Sequence, residues 1–422
     1  MTSHIVFISL FLGLASGLQP IDLQTDAMVK SVRVLVDGRE IAALTKPPWH
    51  FVFDFGPQLD PREVQAIAFD EDGNEIGRTS QVINLPRPPA ELEIALENRE
   101  GGQPAGATLH WRHLQFVIPK SAMLMLDKNA LRLDREFHAN FPNVDWRRPH
   151  LISAEMKFRD GTVARREVVA GGAVYDTAQT QLTPILLALK GELPSSLDNC
   201  LLSEGKAVRV SAVENPTALV IFVRDPDEHE AQLSVGRFAA LRIRLDYDTS
   251  MRMLWPIPQK FADAHSASLL FEATTDVDAT RLSLGGFLTH AYNGRYVDMP
   301  LQLADAVAVA GIRVISETRR RAVVLVLGNQ KDQSRHGPAA VRRYLADIGV
   351  PFFVWSLNGP HPEWGEVEDI SSPMGLQSAA QSLRKTLAAQ RIAWVEADPL
   401  SALRLRADER CGVATVARLG VW

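Results

Sequence analysis

The sequence predicts a multidomain protein in which two β-sandwich modules precede a doubly wound α/β domain with a mostly parallel sheet. In the first half of the chain, short alternating apolar runs are separated by tight turns, which is typical of antiparallel strands. In the second half, long unbroken apolar runs alternate with helical stretches, as expected for strands that are buried on both faces. With 422 residues, 46% of them hydrophobic, the chain is long enough for several cores.

The first 17 residues have the layout of a secretory signal peptide. An apolar run from Ile5 to Leu14 is followed by the small residues Ala15, Ser16 and Gly17, and we expect cleavage near Gly17. No Lys or Arg precedes the run, so a buried first strand or helix is the alternative. A run of about ten residues is too short to cross a bilayer. The sequence therefore predicts an exported protein, periplasmic or extracellular, without a membrane span.

Residues 20–87 and 90–190 are predicted to form the two β modules. In the first, the alternating run Val32 to Val36 ends at Asp37-Gly38, a strong hairpin signal, and several such runs indicate a small immunoglobulin-like sandwich. Prolines around Pro88 form a stiff break before the second module. The second module repeats the short alternating strands.

Residues 205–422 are predicted to form the α/β domain, and its clearest signal is one βαβ unit. Ala322 to Leu327 is an unbroken apolar run, a helix begins near Pro338, and a second apolar run spans Pro351 to Leu357. Rossmann-like sheets of this kind bind ligands at the carboxyl ends of their strands. The sequence therefore predicts a site after Leu327 and after the neighbouring strands.

Charge and motifs exclude several classes of function. A net charge of −5 and an isoelectric point near 6.1 give no basic surface for nucleic acid or anionic lipid. The sequence contains no phosphate loop, dinucleotide fingerprint or nucleophile elbow, so we expect a protein that is not an enzyme. Cys200 and Cys411 flank the α/β region, and in an exported chain we hypothesise that they pair; two unpaired cysteines are the alternative.

Polar residues follow two of the predicted strands. Asp225 and Asp227 come directly after the run Ala218 to Val223, where their oxygens could bind a divalent cation or cap the following helix. His361 and Trp364 lie in a later loop at the same sheet edge. They could line a ligand groove, with a solvated loop as the alternative.

These features resemble the von Willebrand factor type A domain, and more narrowly a group of bacterial exported proteins that place this domain after β-rich modules. The resemblance covers most of the chain. Its segments are 32–44 with the aromatic run 49–53, then 218–225, 254–258, 320–328, 367–370 and 390–396.

The resemblance implies a metal-ion-dependent adhesion site, which is degenerate here. The family's site has an Asp-x-Ser-x-Ser turn, a Thr and a final Asp. This chain keeps the first residue as Asp225, but it has Asp227 and His229 at the serines and Asn329 at the final Asp. A cation loses one charge and its hydroxyl ligands, and imidazole binds Mg²⁺ poorly. We therefore expect no cofactor, with a bound Mg²⁺ ion as the alternative.

The resemblance also implies that a protein partner binds at the rim that carries Asp225 and Asn329. We expect a non-catalytic exported protein that binds an unidentified protein partner without metal. The residues expected at the contact are His229, Arg295, His361 and Trp364. A divalent-cation-dependent adhesion or assembly module is the first alternative, and a hydrolase that uses Asp225 with His229 is the second.

Overall fold

The structure is a computed structural model that describes most of the 422 residues. The described residues are 4–9, 14–86, 88–99, 103–114, 116–172, 178–194, 196–197, 199–224, 242–258, 271–289, 301–328 and 331–416.

The first β module consists of two antiparallel sheets that enclose one apolar core. Its strands are β1 (Ile5–Phe7), β2 (Leu18–Thr25), β3 (Ser31–Val36), β4 (Arg39–Leu44), β5 (His50–Asp54), β6 (Arg62–Phe69) and β7 (Glu75–Ile83). The sheets have the orders β1-β2-β5 and β4-β3-β6-β7. Asp37 and Gly38 both have positive φ, which lets β3 and β4 form the predicted hairpin.

Residues of the predicted signal peptide belong to this module. Strand β1 pairs antiparallel with β2, and Ile5 and Ala15 are buried in the module's core. The side chain of Asn84 accepts a hydrogen bond from the Ala15 N–H and donates one to the Ala15 carbonyl, at 2.7 and 2.9 Å. Ile5–Phe7 is thus a strand of this module with Ile5 buried, which agrees with the alternative interpretation for this part of the run Ile5 to Leu14. Cleavage near Gly17 stays a prediction.

The second β module is also built from two facing sheets. Its strands are β8 (Ala90–Asn98), β9 (Pro104–His113), β10 (Pro119–Leu126), β11 (Asn129–Leu131), β12 (His138–Asn140), β13 (His150–Phe158), β14 (Val163–Ala170) and β15 (Ala178–Leu189). The sheet β12-β9-β8 packs against the run β11-β10-β13-β14 around a core that includes Ile94, Leu109 and Ile152.

The larger of these sheets continues into the last part of the chain. Strand β15 pairs antiparallel with β26 (Gln390–Glu396), which in turn pairs with β18 (Val210–Glu214). β28 (Val413–Thr415) also pairs with β15. A small sheet beside it contains β16 (Leu201–Ser203), β17 (Lys206–Ala207) and β27 (Arg406–Ala407). Residues 178–189 and 390–396 therefore share one sheet, although the prediction assigned them to different domains.

A seven-stranded sheet with a parallel centre forms the remaining layer. Its strands are β19 (Ala218–Arg224), β20 (Thr249–Pro258), β21 (Phe271–Ala273), β22 (Val277–Asp278), β23 (Arg320–Leu327), β24 (Phe352–Ser356) and β25 (Glu368–Asp369). The helices are α1 (Leu284–Leu288), α2 (Leu303–Ile315), α3 (Pro338–Asp347), α4 (Pro373–Ala388) and α5 (Pro399–Leu403), with short 3₁₀ turns at Pro362–Trp364 and Glu409–Cys411. Helices α2 and α3 cover one face of the sheet, and α1 and α4 cover the other.

The predicted fold class is wrong. Strands account for 46% of the described residues and helices for 16%, so this part of the chain is mostly β, with many small antiparallel sheets, and is not two β modules followed by a doubly wound α/β domain. The error concerns Ile392 to Glu396, which was interpreted as the last strand of the α/β domain. The structure has it within β26, between the antiparallel neighbours β15 and β18, with apolar clusters packed on both of its faces. A strand buried on both faces has the same apolar pattern in either kind of sheet.

Candidate functional site

Most residues of the predicted site lie outside the described part of the chain. They are Asp225, Asp227, His229, Arg295 and Asn329. Their roles as metal or partner ligands stay predictions. Within the described ranges, no group of three or more His, Cys, Asp or Glu side chains could hold a metal ion.

The carboxyl edge of β19 carries a buried cation that the sequence analysis missed. Arg224 is fully buried, its guanidinium donates a hydrogen bond to the Leu288 carbonyl, and its Cζ lies 5.3 Å from the centroid of the Trp255 ring. The carbonyl dipole and the face of the indole ring both stabilise a positive charge. An arginine at the end of an otherwise apolar strand was the available signal, but only the acidic residues after it were considered.

The N-terminus of α2 is capped from a distant loop. The Asp332 carboxylate accepts hydrogen bonds from the Leu303 and Ala304 N–H groups at 2.9 and 3.1 Å, and the Asp305 N–H donates to Ser334 Oγ at 3.1 Å. These bonds satisfy N–H groups that have no partner within the helix. Because a carboxylate of the chain already occupies this helix end, it is not an open anion site.

Only one of the two predicted contact residues in the described loop is accessible. The Trp364 side chain is 2% exposed and packs against Phe352, with ring centroids 5.9 Å apart, so it belongs to the core. His361 lines a recess of about 370 Å³ with Lys331 and Asp332. Its Nδ1 lies 3.4 Å from Glu363 Oε1. Trp364 is therefore too buried to contact a partner, whereas His361 lies at the recess.

Ser16, His336 and Asp305 form a buried chain of hydrogen bonds that resembles a catalytic triad. Ser16 Oγ lies 2.8 Å from His336 Nε2, and His336 Nδ1 lies 2.6 Å from Asp305 Oδ1. Burial would raise the pKa of Asp305, but hydrogen bonds from His336 and the Arg335 N–H hold it below its ordinary value. Ser16 is only 3% exposed. A substrate therefore cannot reach its hydroxyl. The three groups instead link the first β module, which contains Ser16, to the parallel layer, which contains His336 and Asp305.

A loop of the second module presents the most exposed apolar side chain in the described structure. We call Leu114 together with residues 116–118 the Phe116 loop; Phe116 is 89% exposed, and Leu114, Ile118 and the nearby Met123 are also exposed. Phe116 has a φ of 56°, in the left-handed region. Bulky side chains are rarely found there, because the Cβ crowds the backbone.

A buried histidine holds the Phe116 loop in this shape. The His113 carbonyl accepts from the Phe116 N–H at 3.1 Å, and its Nδ1 accepts from the Val117 N–H at 3.4 Å. His113 Nε2 lies 3.1 Å from Asp160 Oδ2, and its ring is 4.8 Å from the Phe158 ring. With Nδ1 as an acceptor, the proton is on Nε2 and faces the Asp160 carboxylate. The loop conformation is therefore fixed from inside the module.

Cys200 and Cys411 form a disulfide. Their Cα atoms are 5.8 Å apart, and 211 positions separate them in the sequence. Cys200 is buried in the core beneath β15 and β26. The bond joins the segment before β19 to the segment after α5, so it closes a loop that contains the whole parallel sheet.

No family model matches the chain, and no curated protein sequence matches it. Solved structures with some similarity include fibronectin(III)-like modules of Clostridium thermocellum CbhA, with 12% identity, a TM-score of 0.17, and coverage of 40% of this chain and 93% of that one. The central fibronectin-III array of RIM-binding protein has 8% identity and a TM-score of 0.23, with coverage of 47% and 81%.

Another is Bacteroides ovatus SGBP-B in complex with a mixed-linkage heptasaccharide, with 12% identity, a TM-score of 0.15, and coverage of 50% of this chain and 59% of that one. The resemblance to the type A domain stays a prediction. No described helix has the length and apolar character needed to cross a membrane.

Proposed function

We propose that the protein is a non-catalytic exported protein that binds a protein partner through the Phe116 loop, without metal. The observation that carries the proposal is the strained, 89% exposed Phe116. The proposed contact differs from the one expected from the sequence, which was the rim at the carboxyl ends of the parallel strands.

The composition of the Phe116 loop supports a contact role. Leu114, Phe116 and Ile118 expose their side chains within five positions, and Met123 is exposed on the strand that follows. Single exposed apolar residues are ordinary, but a contiguous apolar patch on a soluble protein often marks an interaction surface. Aromatic residues and methionine are enriched at the centres of protein interfaces. The patch therefore fits an apolar surface of a partner.

The strain at Phe116 supports the same conclusion. A left-handed conformation costs a bulky residue roughly 1–2 kcal/mol. Residues kept in unfavourable conformations cluster at functional sites, where the surrounding structure imposes them. Here His113 imposes the conformation on an aromatic residue that makes almost no contact with its own module. A preorganised anchor of this kind loses little entropy on binding.

Export is supported by the disulfide between Cys200 and Cys411, since such bonds persist in oxidising compartments. Binding without metal is supported by the sequence at Asp227, His229 and Asn329, where the ligands typical of the resembled family are replaced. Neither argument depends on the Phe116 loop, so the three parts of the proposal can be tested separately.

The test is capture of a partner by the full-length protein from a periplasmic or secreted extract, followed by affinity measurement with the purified partner. Phe116→Asn should weaken binding by about 30-fold, the effect of a central interface residue. Tyr247→Asn is the matched control, because Tyr247 is another highly exposed aromatic, 83% exposed, on a different part of the chain.

Tyr247→Asn should leave the affinity unchanged, and EDTA should have no effect on either protein. If Phe116→Asn binds the partner as tightly as the unmodified protein, the Phe116 loop is not the contact. If sedimentation shows that the wild-type protein self-associates and Phe116→Asn does not, the partner is a second copy of the chain.

A further inference from the structure

A cavity lies at the amino edge of the parallel sheet, opposite the rim where sequence reasoning placed the site. Its volume is about 200 Å³, and it is lined by three parts of the chain. The linker at Pro86 contributes one wall, β15 contributes Ile185 and Leu186, and the parallel layer contributes Arg321 and Ile348. The cavity exists only because the β modules are packed against the end of the parallel sheet.

Arg321 is the charged group of this cavity. It is 3% exposed and lies in β23, on the side of the sheet that faces α2 and α3. The side chain of Gln390 fixes its backbone, because Oε1 accepts from the Arg321 N–H at 2.7 Å and Nε2 donates to the Arg321 carbonyl at 2.9 Å. Two buried hydrogen bonds therefore hold the backbone of Arg321 in place beside the cavity.

Among the described residues, no carboxylate pairs with the Arg321 guanidinium. Within the described part of the chain, its Nε has no hydrogen-bond partner. Burial lowers the pKa of Arg321 to about 10, with no carboxylate acting in the opposite direction. By contrast, the neighbouring Arg320 donates to the Asp248 carboxylate and to two carbonyls. A buried charge without a partner is costly and is normally avoided, which makes Arg321 the exception in this strand.

Three arginines and one glutamate are the charged residues among the cavity's described lining residues. Arg165 and Arg166 also line it, and Glu91 is the one acidic residue among its described lining residues. Arg165 forms ion pairs with Glu155 and Glu214. Glu91 is exposed, so its charge is solvated. The carboxyl-terminal turns of α2 and α3 also face the cavity. The negative ends of their helix dipoles partly stabilise the Arg321 guanidinium, but they supply no full negative charge.

We propose that this cavity binds a small organic acid, whose carboxylate pairs with Arg321 and whose compact apolar body lies against Ile185, Leu186 and Ile348. A guanidinium presents donors in a fork that matches a carboxylate, and a buried, charge-assisted pair is stronger than a neutral hydrogen bond. The volume corresponds to about seven water molecules at liquid density, so the ligand has a similar number of non-hydrogen atoms.

The test uses the full chain and matched pairs of probes. Hexanoate and benzoate are compared with hexanamide and benzamide, which have the same shape without the charge, by calorimetry and by thermal stabilisation. The carboxylates should bind about 10- to 100-fold more tightly than the amides. Arg321→Gln should abolish this discrimination. Equal binding of acids and amides would overturn the proposal, and so would the absence of binding by all four probes.

Two further variants make the result independent of folding defects. Arg321→Met should raise the unfolding midpoint of the ligand-free protein, because it removes a buried charge without a partner. A lower midpoint would show that Arg321 has a structural partner, and the proposal would fail. Arg319→Gln is the control, since Arg319 pairs with Asp276 and Glu317 and is not among the cavity's lining residues. It should lose stability and keep the wild-type affinity for carboxylates.

Discussion

Replacing Phe116 by asparagine should make the isolated protein more stable. Asparagine tolerates the left-handed conformation, so the substitution relieves about 1 kcal/mol of backbone strain at a φ of 56°. Phe116 is 89% exposed, so it loses only about a tenth of the 1.5–3 kcal/mol that full burial of a phenylalanine provides, roughly 0.3 kcal/mol. The expected net change is an increase of about 0.7 kcal/mol in the free energy of unfolding of the second module.

Phe137 provides the matched control, because it lies in the same module with a φ of 60°. Unlike Phe116, it is partly buried against the module's core. Phe137→Asn relieves the same strain but loses about 2 kcal/mol of burial, so it should destabilise the module by about 1 kcal/mol. The two substitutions are chemically identical, and they should have effects of opposite sign.

Amide hydrogen exchange is the appropriate assay, since it resolves the opening of the second module by itself, whereas global unfolding reports on several modules together. Protection of peptides from β9 and β13 reports the opening free energy of the second module itself. If Phe116→Asn lowers that free energy by more than about 0.5 kcal/mol, Phe116 contributes to the folded module. The argument that its strain is retained for binding would then fail.

The disulfide, the buried triad and the metal question give three further expectations. On the chain-entropy model, a Cys200→Ser, Cys411→Ser double variant should lose about 5 kcal/mol of stability, measured by urea unfolding, and no loss would show that the thiols are unpaired in solution. The pKa of Asp305 is lowered in the folded state, so its stabilising effect should be complete above about pH 4 and disappear as the pH falls through the folded-state pKa. Asp305→Asn should remove that dependence, and an unchanged pH profile would contradict it. Mg²⁺ at millimolar concentration should leave the unfolding temperature unchanged, and a clear rise would establish a cation site.

The βαβ unit was predictable because local patterns determine it. An unbroken apolar run fits a strand buried on both faces, and the structure has β23 and β24 in parallel, with α3 between them. The pairing of β15 with β26 could not be predicted in the same way. Leu186 lies opposite Ile392, and no turn or short connection between them indicates the pairing. The fold class was therefore wrong where long-range antiparallel pairing decided it.

The candidate sites were less predictable than the fold, for two physical reasons. The backbone conformation of Phe116 depends on hydrogen bonds that the Phe116 and Val117 N–H groups donate to His113, and nothing in the amino-acid types around it indicates a positive φ. Arg321 was interpreted as a charged residue that precedes the apolar run of a strand, because a sequence does not distinguish a buried arginine from a solvated one. Only the packing of other modules over β23 makes that charge costly.

The rule that parallel sheets bind ligands at the carboxyl ends of their strands assumes that no other part of the chain forms a cavity at the amino edge. In this protein the first β module docks beside the sheet and positions the linker over its amino edge. Tyr344 of α3 donates a hydrogen bond to the Asn84 carbonyl at 3.0 Å, just before Pro86, and His336 binds Ser16. These contacts hold the wall of the cavity against Arg321. The packing of the β modules against the parallel sheet thus creates a site at the edge where none was expected.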